Sequence, residues 1–192
     1  MTMALSNSGN DIKRLCILGG IDRETSSSLQ NQANDLAVAM ARAGIGLSCM
    51  ANAGELITHI AQIIKTHGGN VSCVLPDSII WNEHLLHIAD EHVPAKDLQE
   101  GKMFLFRLSA GVIALPGDIR MLDILSEYLT WIQRLHYTSK PVYLVNEGSF
   151  WELLLQVFEH MENESFLPQN FHSRYRILTE LREVLPDFQQ TY

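Results

Sequence analysis

Residues 111–131, GVIALPGDIRMLDILSEYLTW, decide the fold of this chain. Residues 111–115 form a short apolar run rich in β-branched side chains, which is typical of a strand buried on both faces. Pro116 and Gly117 then predict a tight turn, and Asp118 is placed to cap a helix whose apolar residues recur at helical spacing. In an open parallel sheet, small molecules bind beyond the carboxyl ends of the strands. The turn is therefore the expected wall of any binding site.

The rest of the chain repeats the alternation of strand and helix. Strands are predicted over residues 15–18, 45–50, 71–75 and 140–146, and helices over residues 26–43, 54–67, 96–108, 149–163 and from 178 onward. Residues 77–95 are predicted to be a surface loop because they include Asp90, Glu91 and His92. Together these elements predict a Rossmann-like α/β fold, a doubly wound and mainly parallel sheet with helices on both faces. It forms one domain over residues 11–192, after a flexible tail over residues 1–10.

The composition is that of an ordinary globular domain, with 46% apolar residues among 192. The 22 acidic and 14 basic side chains give a formal net charge of −8, which disfavours nonspecific binding to nucleic acid or to acidic membranes. The sequence shows no transmembrane run and no signal-peptide order at its start, so we expect a cytoplasmic protein without membrane partners. Cys16, Cys49 and Cys73 stand singly in apolar runs, which indicates buried, reduced thiols.

Residues 114–131, ALPGDIRMLDILSEYLTW, resemble a worn copy of the PGGxGTxxE motif of the Lonely Guy (LOG) family. Its members are nucleoside 5'-monophosphate phosphoribohydrolases that were formerly described as lysine decarboxylases. The resemblance continues in the segments CILGG at 16–20, GGNV at 68–71, VLP at 74–76, KPVYL at 140–144 and FW at 150–151. It covers about residues 14–185. The resemblance implies a Rossmann-like α/β fold, which is also the fold that the pattern of strands and helices predicts.

The chain departs from the family at the positions that the resemblance makes functional. Where the motif has glycine, glycine, threonine and the catalytic glutamate, this sequence has Asp118, Arg120, Met121 and Ile124. The family's Arg-Lys pair falls on Gly101 and Lys102, so its catalytic arginine is missing. Its glycine-rich GGGxxGLMG loop falls on MANAGELIT at 50–58, which lacks most of the glycines that cradle a phosphate.

Two carboxylates near the lost glutamate are the candidate catalytic residues. Hydrolysis of an N-glycosidic bond needs a carboxylate close to the ribose, and Ile124 cannot provide one. Asp123 is its neighbour, and Glu127 lies nearly one turn further along the helix. Because adjacent residues of a helix point about 100° apart, either carboxylate could act only on a substrate that is turned in the site.

The candidate ligand-binding residues lie on the strand-to-helix turns and on the helix before the central strand. They are Gly19, Gly20, Gly54, Lys102, Arg107, Gly117, Asp118, Arg120 and Met121. Glycines at such turns expose backbone N–H groups to a phosphate, and the cations can pair with it. Each also has a structural interpretation. The glycines can be turn residues, Lys102 and Arg107 surface charges, Asp118 a helix cap, and Arg120 the partner of Asp123.

Three functions stay open on these residues. The chain could be an active nucleoside 5'-monophosphate phosphoribohydrolase with replacement carboxylates, a binding protein as the related molybdenum-cofactor carriers are, or a structural or regulatory dimer with a closed pocket. Since the arginine, glutamate, threonine and most loop glycines are missing together, we favour lost or altered activity with binding of a nucleotide-like or phosphorylated small molecule.

No cofactor and no metal ion are expected, because the eight histidines show neither an HExxH motif nor partnered carboxylates. The resemblance also implies a homodimer. We expect its contact on the helix before the central strand and on the helix after the central turn, which carries Met121, Leu125, Tyr128, Leu129, Trp131 and Ile132.

Overall fold

A computed structural model describes residues 12–19, 27–135 and 140–191. The tail predicted over residues 1–10 and the candidate residue Gly20 lie outside this part of the chain. The described residues contain seven strands: β1 Arg14–Leu18, β2 Gly46–Met50, β3 Val71–Pro76, β4 Glu91–Ala95, β5 Gly111–Ala114, β6 Val142–Val145 and β7 Arg176–Leu178. Seven α-helices accompany them: α1 Ser27–Arg42, α2 Glu55–Thr66, α3 Glu83–Ile88, α4 Leu98–Leu108, α5 Ile119–Leu135, α6 Glu152–Asn163 and α7 Val184–Thr191.

The strands form one sheet in the order β4-β3-β2-β1-β5-β6-β7, and neighbouring strands pair in parallel. The chain starts at the centre, runs outward from β1 to β4, and returns to place β5 beside β1. This confirms the predicted doubly wound, Rossmann-like fold. The winding direction reverses between β1 and β5, so the carboxyl ends of these two strands open a crevice.

Helices cover both faces of the sheet, which explains why its central strands are mostly apolar. Leu15 and Ile17 of β1 point towards the core beneath α1, α2, α3 and α7. Cys16 and Leu18 point towards the core beneath α4, α5 and α6. Successive residues of a strand face opposite sides, so a strand that is covered twice is apolar except where a buried polar group such as Ser48 finds a hydrogen-bond partner.

The surface loop predicted over residues 77–95 is wrong, because this region contains α3 and the edge strand β4. Glu91 lies opposite Ser72 of β3 and accepts a hydrogen bond from its hydroxyl at 2.7 Å. The Asp90 carboxylate accepts one from the Val71 N–H at 2.9 Å. These charged side chains are typical of a loop in the sequence, but here they belong to the exposed edge of a sheet.

The helix predicted from residue 178 onward begins later than expected. Leu178 ends β7, a 3₁₀ turn follows over Leu181–Glu183, and α7 starts at Val184. The strand β7 is only three residues long and largely exposed, so it has no buried apolar pattern to reveal it.

Five of the six α5 residues expected at a dimer contact are covered within the chain itself. Leu125 and Tyr128 are fully buried, and Tyr128 packs with Phe106 of α4 at a ring-centroid distance of 4.9 Å. Met121, Leu129 and Ile132 are buried in the same core, and Trp131 is half-buried against it. The expectation of a dimer contact is therefore wrong for the five buried residues, while the dimer itself stays a prediction.

The three cysteines are buried and free, as expected. Burial raises the pKa of the Cys16 thiol to about 12, which keeps it protonated and unreactive. Within the part of the chain that the structure describes, no helix is long and apolar enough to cross a membrane.

Candidate functional site

The crevice between β1 and β5 holds a cavity of about 80 Å³. We call it the β1–β5 crevice. Leu18 at the end of β1 and the following Gly19 line one side of it, and Met50 of β2 and Asn52 in the next turn line another. The helices α2 and α5 close the crevice. Its lining residues are Ile17, Leu18, Gly19, Met50, Asn52, Ala53, Gly54, Ile57, Leu105, Arg120, Met121 and Ile124. Among the candidate ligand residues, the structure thus brings Gly19, Gly54, Arg120 and Met121 together.

Gly19 and Gly117 allow the two strand-to-helix turns to touch. Gly19 has a φ of +100°, and a Cβ atom there would lie 2.6 Å from the carbonyl oxygen of Leu115. A Cβ atom on Gly117 would lie 3.1 Å from the Cα atom of Gly19. Both glycines therefore have a packing role at the base of the crevice.

The N-termini of α2 and α5 both lie at the crevice, and they differ in how their first N–H groups are capped. Gly54 is the N-cap of α2, and no side chain in the described part of the chain caps this helix, so its first turn offers N–H groups to an acceptor. At α5 the Asp118 carboxylate accepts hydrogen bonds from the N–H groups of Arg120 at 2.9 Å and Met121 at 3.2 Å. Asp118 is thus a helix cap, and it occupies the donors that a bound anion would use.

Arg120 folds back on the cap and pairs with Asp118, not with Asp123. Its Nε atom lies 2.6 Å from the Asp118 carboxylate. Burial acts to raise the pKa of Asp118, but the Arg120 guanidinium and the backbone N–H groups together hold it below its usual value. The Arg120 side chain is 64% exposed at the mouth of the crevice, so it is accessible to a ligand.

Ile124 lines the crevice at the position that the resemblance gives to the catalytic glutamate. Its apolar side chain can neither stabilise positive charge nor activate water. None of the described residues that line the crevice carries a carboxylate.

Asp123 and Glu127 lie beside the crevice and point away from its lining, towards Lys102 of α4. The Lys102 Nζ atom is 2.5 Å from Asp123 Oδ2 and 3.3 Å from Glu127 Oε2. Burial alone would lower the pKa of Lys102, but the two carboxylates raise it above its ordinary value. We call these three residues the α4–α5 ion triad. Its lysine side chain is 7% exposed, and its two carboxylates already neutralise it.

The remaining candidates lie outside the crevice. Arg107 is exposed on α4. Gly101 occupies the place of the family's catalytic arginine, and a Cβ atom there would lie 2.6 Å from Pro76 Cγ and 3.5 Å from Met50 Sδ. A larger side chain at position 101 would therefore require Pro76 to move.

Sequence reasoning missed Asn52 and Ile57 as crevice residues. The signal was the resemblance of residues 50–58 to the family's glycine-rich loop, which contains both positions. Among the described residues, no cluster of histidine, cysteine or carboxylate side chains is placed to hold a metal ion.

The fold and the crevice define a class: Rossmann-like α/β proteins that have a ligand crevice at the switch point of a parallel sheet. A family model described as "possible lysine decarboxylase" matches residues 57–188, which is more than half of the chain. The chain belongs to this family, the LOG family.

Curated relatives support the assignment. A probable cytokinin riboside 5'-monophosphate phosphoribohydrolase of Oryza sativa subsp. japonica is 29% identical over 155 residues, covering 81% of this chain and 73% of the relative. A cytokinin riboside 5'-monophosphate phosphoribohydrolase of Arabidopsis thaliana is 29% identical over 157 residues, covering 82% of this chain and 73% of the relative.

Solved structures share the fold at low identity. The molybdenum cofactor carrier protein of Chlamydomonas reinhardtii superposes with a TM-score of 0.65 at 13% identity, covering 93% of this chain and 97% of the carrier. This likeness concerns the fold, whereas the family assignment rests on the sequence matches.

Proposed function

We propose that this LOG-family protein has kept a ligand crevice but has lost or altered the phosphoribohydrolase reaction, and that it binds a nucleotide-like or phosphorylated small molecule. The observation that carries the proposal is Ile124 in the wall of the crevice. An isoleucine stands where the resemblance places the carboxylate that the reaction needs.

The nearby carboxylates are poor replacements because they are engaged elsewhere. Around the helix, Asp123 projects about 100° and Glu127 about 60° away from Ile124. To reach a ribose in the crevice, either carboxylate would have to leave Lys102, whose side chain is 7% exposed and would keep only one of its two partners. The α4–α5 ion triad is therefore better explained as a contact between two helices.

The missing arginine supports the same proposal. Position 101 faces Pro76 so closely that an arginine there would require Pro76 to move. Gly101 and Ile124, which stand in the places of the family's arginine and glutamate, thus both fit the packing around them.

Anion binding remains available at the other end of the crevice. The open N-terminus of α2 offers backbone N–H groups, and Arg120 offers a guanidinium at the mouth. The volume of about 80 Å³ is below the roughly 300–1,000 Å³ of typical ligand pockets, so only part of a nucleotide would be enclosed. We expect the phosphate to sit against α2, since Asp118 repels it from α5.

An active phosphoribohydrolase is the second candidate, because curated relatives at 29% identity bear that name. It requires Asp123 or Glu127 as the catalytic carboxylate and Lys102 or Arg107 as the phosphate ligand. A structural or regulatory dimer with a closed crevice is the third candidate, and the small cavity is the observation in its favour.

We also propose a homodimer, with its contact on α6 instead of α5. Helix α6 carries no buried residue, although it is rich in leucine. Ile119, Phe150, Leu153 and Val157 are exposed apolar side chains that form what we call the α6 patch. The first three line a largely apolar groove of about 300 Å³ between the starts of α5 and α6. A patch of this kind is typical of an interface.

The test combines binding and turnover on one panel of nucleoside 5'-monophosphates. Binding is measured by calorimetry and base release by chromatography, for the natural sequence, Arg120→Gln and the control Arg182→Gln. Arg182 is an exposed arginine outside the crevice, paired with Glu180. Binding that weakens only in Arg120→Gln, without base release, supports the proposal. Base release would establish the second candidate, and neither binding nor release would favour the third.

A further inference from the structure

A second cavity lies at the end of the parallel strands opposite to the β1–β5 crevice, where β6 and β7 begin. It has a volume of about 240 Å³. Its walls come from the starts of both strands, from the segment before β7, and from the ends of α5 and α7. Its lining residues are Ile132, Lys140, Pro141, Val142, Ser173, Arg174, Tyr175, Arg176 and Thr191. We call it the β6–β7 cavity.

Three of these residues are cations, in a chain whose formal net charge is −8. Lys140 lies on one wall, and Arg174 and Arg176 lie on the other. Asp187 offsets one positive charge, since its carboxylate pairs with Arg176 and accepts a hydrogen bond from the Tyr143 hydroxyl at 2.8 Å. The charge that remains at the cavity is positive.

Arg174 has an unsatisfied donor at this place. Its Nε atom is buried and has no hydrogen-bond partner among the described residues. Buried donors in native proteins are nearly always paired, so an unpaired guanidinium N–H calls for an acceptor. An oxyanion is the acceptor that a guanidinium fork fits best, and it would reach this enclosed N–H once the Arg174 side chain turns towards the cavity.

Lys140 is held in position on the opposite wall. Its ammonium group donates a hydrogen bond to the Phe106 carbonyl at 2.6 Å and lies 4.5 Å from the centre of the Phe106 ring. Burial and the nearby Arg107 lower the pKa of Lys140 to about 8, so most of it is still protonated at neutral pH. An anion beside it would compensate for the water that it has lost.

Two of the three hydroxyl groups that line the cavity contribute less. Ser173 donates to the Asn170 carbonyl at 2.7 Å, and Thr191 donates to the Asp187 carbonyl at 3.1 Å. Their hydrogen atoms are already used, so recognition depends on the cations. This favours a ligand with concentrated negative charge, such as a phosphate or diphosphate group, over a neutral sugar or base.

We propose that the β6–β7 cavity is a second binding site, for the phosphate or diphosphate group of a small metabolite. It is separate from the β1–β5 crevice, because the two lie beyond opposite ends of the parallel strands. Four residues of β6 alone span about 13 Å. One small ligand therefore cannot fill both sites.

The test is calorimetric titration of the whole protein with inorganic pyrophosphate. We expect the affinity to fall about tenfold or more in Arg174→Gln, since a charge-assisted hydrogen bond is lost. Lys140→Met should weaken binding from the other wall. A matched control, Arg182→Gln, removes one arginine on the exposed surface and should change the affinity less than about twofold. Arg120→Gln reports separately on any pyrophosphate that binds at the β1–β5 crevice.

Unchanged melting temperatures and circular dichroism would show that each variant is folded. If Arg174→Gln does not fold, Lys140→Met decides the question. No pyrophosphate binding by the natural sequence at millimolar concentration would overturn the proposal. A loss of binding in Arg120→Gln but not in the cavity variants would also overturn it, because the anion would then occupy the β1–β5 crevice.

Discussion

Gly19 and Gly44 both have positive φ angles, +100° and +68°, but their surroundings differ. Gly19 lies against the backbone at the end of β5, whereas a Cβ atom on Gly44 would meet no atom of the described residues within 4 Å. Substituting these two glycines therefore separates the energetic cost of backbone strain from the cost of a clash between the two turns.

We predict that Gly44→Ala lowers the free energy of unfolding by about 1 kcal/mol, from strain alone. Gly19→Ala should lower it by about 3 kcal/mol, since the clash with the Leu115 carbonyl adds to the strain. Urea unfolding of both variants measures the difference. Equal losses would show that the two turns do not need their close contact.

A second prediction at this scale concerns Gly101. In a helix, glycine to alanine normally stabilises by up to about 1 kcal/mol, but here the new Cβ atom would meet Pro76. We expect Gly101→Ala to destabilise by about 1–2 kcal/mol, with most of the loss recovered when Pro76→Ala is added. Additive losses in this double-mutant cycle would contradict the packing argument.

Lys140 gives a pH dependence whose sign is fixed by its environment. Burial and Arg107 lower its pKa from 10.5 to about 8 in the folded chain. Between these two values the unfolded chain binds more protons, so stability should rise with pH over this window. Lys140→Met should remove that rise. The difference in melting temperature between the natural sequence and the variant, measured from pH 7 to 10.5, checks this prediction. A constant difference would count against it.

Between helices α4 and α5, the α4–α5 ion triad is the main polar contact in the part of the chain that the structure describes. Tyr128 of α5 adds a hydrogen bond from its hydroxyl to the Lys102 carbonyl at 2.9 Å. Since Asp123 is 57% exposed, the triad should contribute less than a fully buried ion pair.

We predict that Lys102→Met lowers the free energy of unfolding by about 1–2 kcal/mol and leaves anion binding unchanged. The control Lys65→Met removes the lysine of the more exposed Lys65–Asp90 pair and should cost less than about 1 kcal/mol. The reverse outcome, weaker binding without loss of stability, would make Lys102 the phosphate ligand that the sequence suggested.

Elements buried on both faces could be predicted from the sequence, whereas exposed edge elements could not. The strand β5 and the helix α5 follow from an uninterrupted apolar run, a Pro-Gly turn and helical spacing. The strand β4 is half-buried or exposed at every position except Ala95 and includes Pro94, so nothing in its sequence excludes a loop. Likewise, the contact of Lys102 with Asp123 joins residues that are 21 positions apart, and no local pattern reveals it.

At the scale of the molecule, the α6 patch makes a testable claim about assembly. We predict a dimer in light scattering at micromolar concentration and a monomer after Leu153→Glu or Val157→Glu, because a buried unpaired carboxylate is costly. Ile177→Glu is the matched control, since Ile177 is an exposed apolar residue on β7 outside the patch. A monomeric natural sequence would refute the dimer, and an equal effect of the control would refute the location of its contact.

The central claim is that a LOG-family fold here carries a ligand crevice without the reaction. Its most direct test is the release of free base from saturating nucleoside 5'-monophosphates, followed by chromatography. The Arabidopsis thaliana relative serves as positive control. We predict that release by this protein does not exceed the rate without protein, because Ile124 replaces the required carboxylate. Release above that rate that disappears in Asp123→Asn or Glu127→Gln would contradict the account.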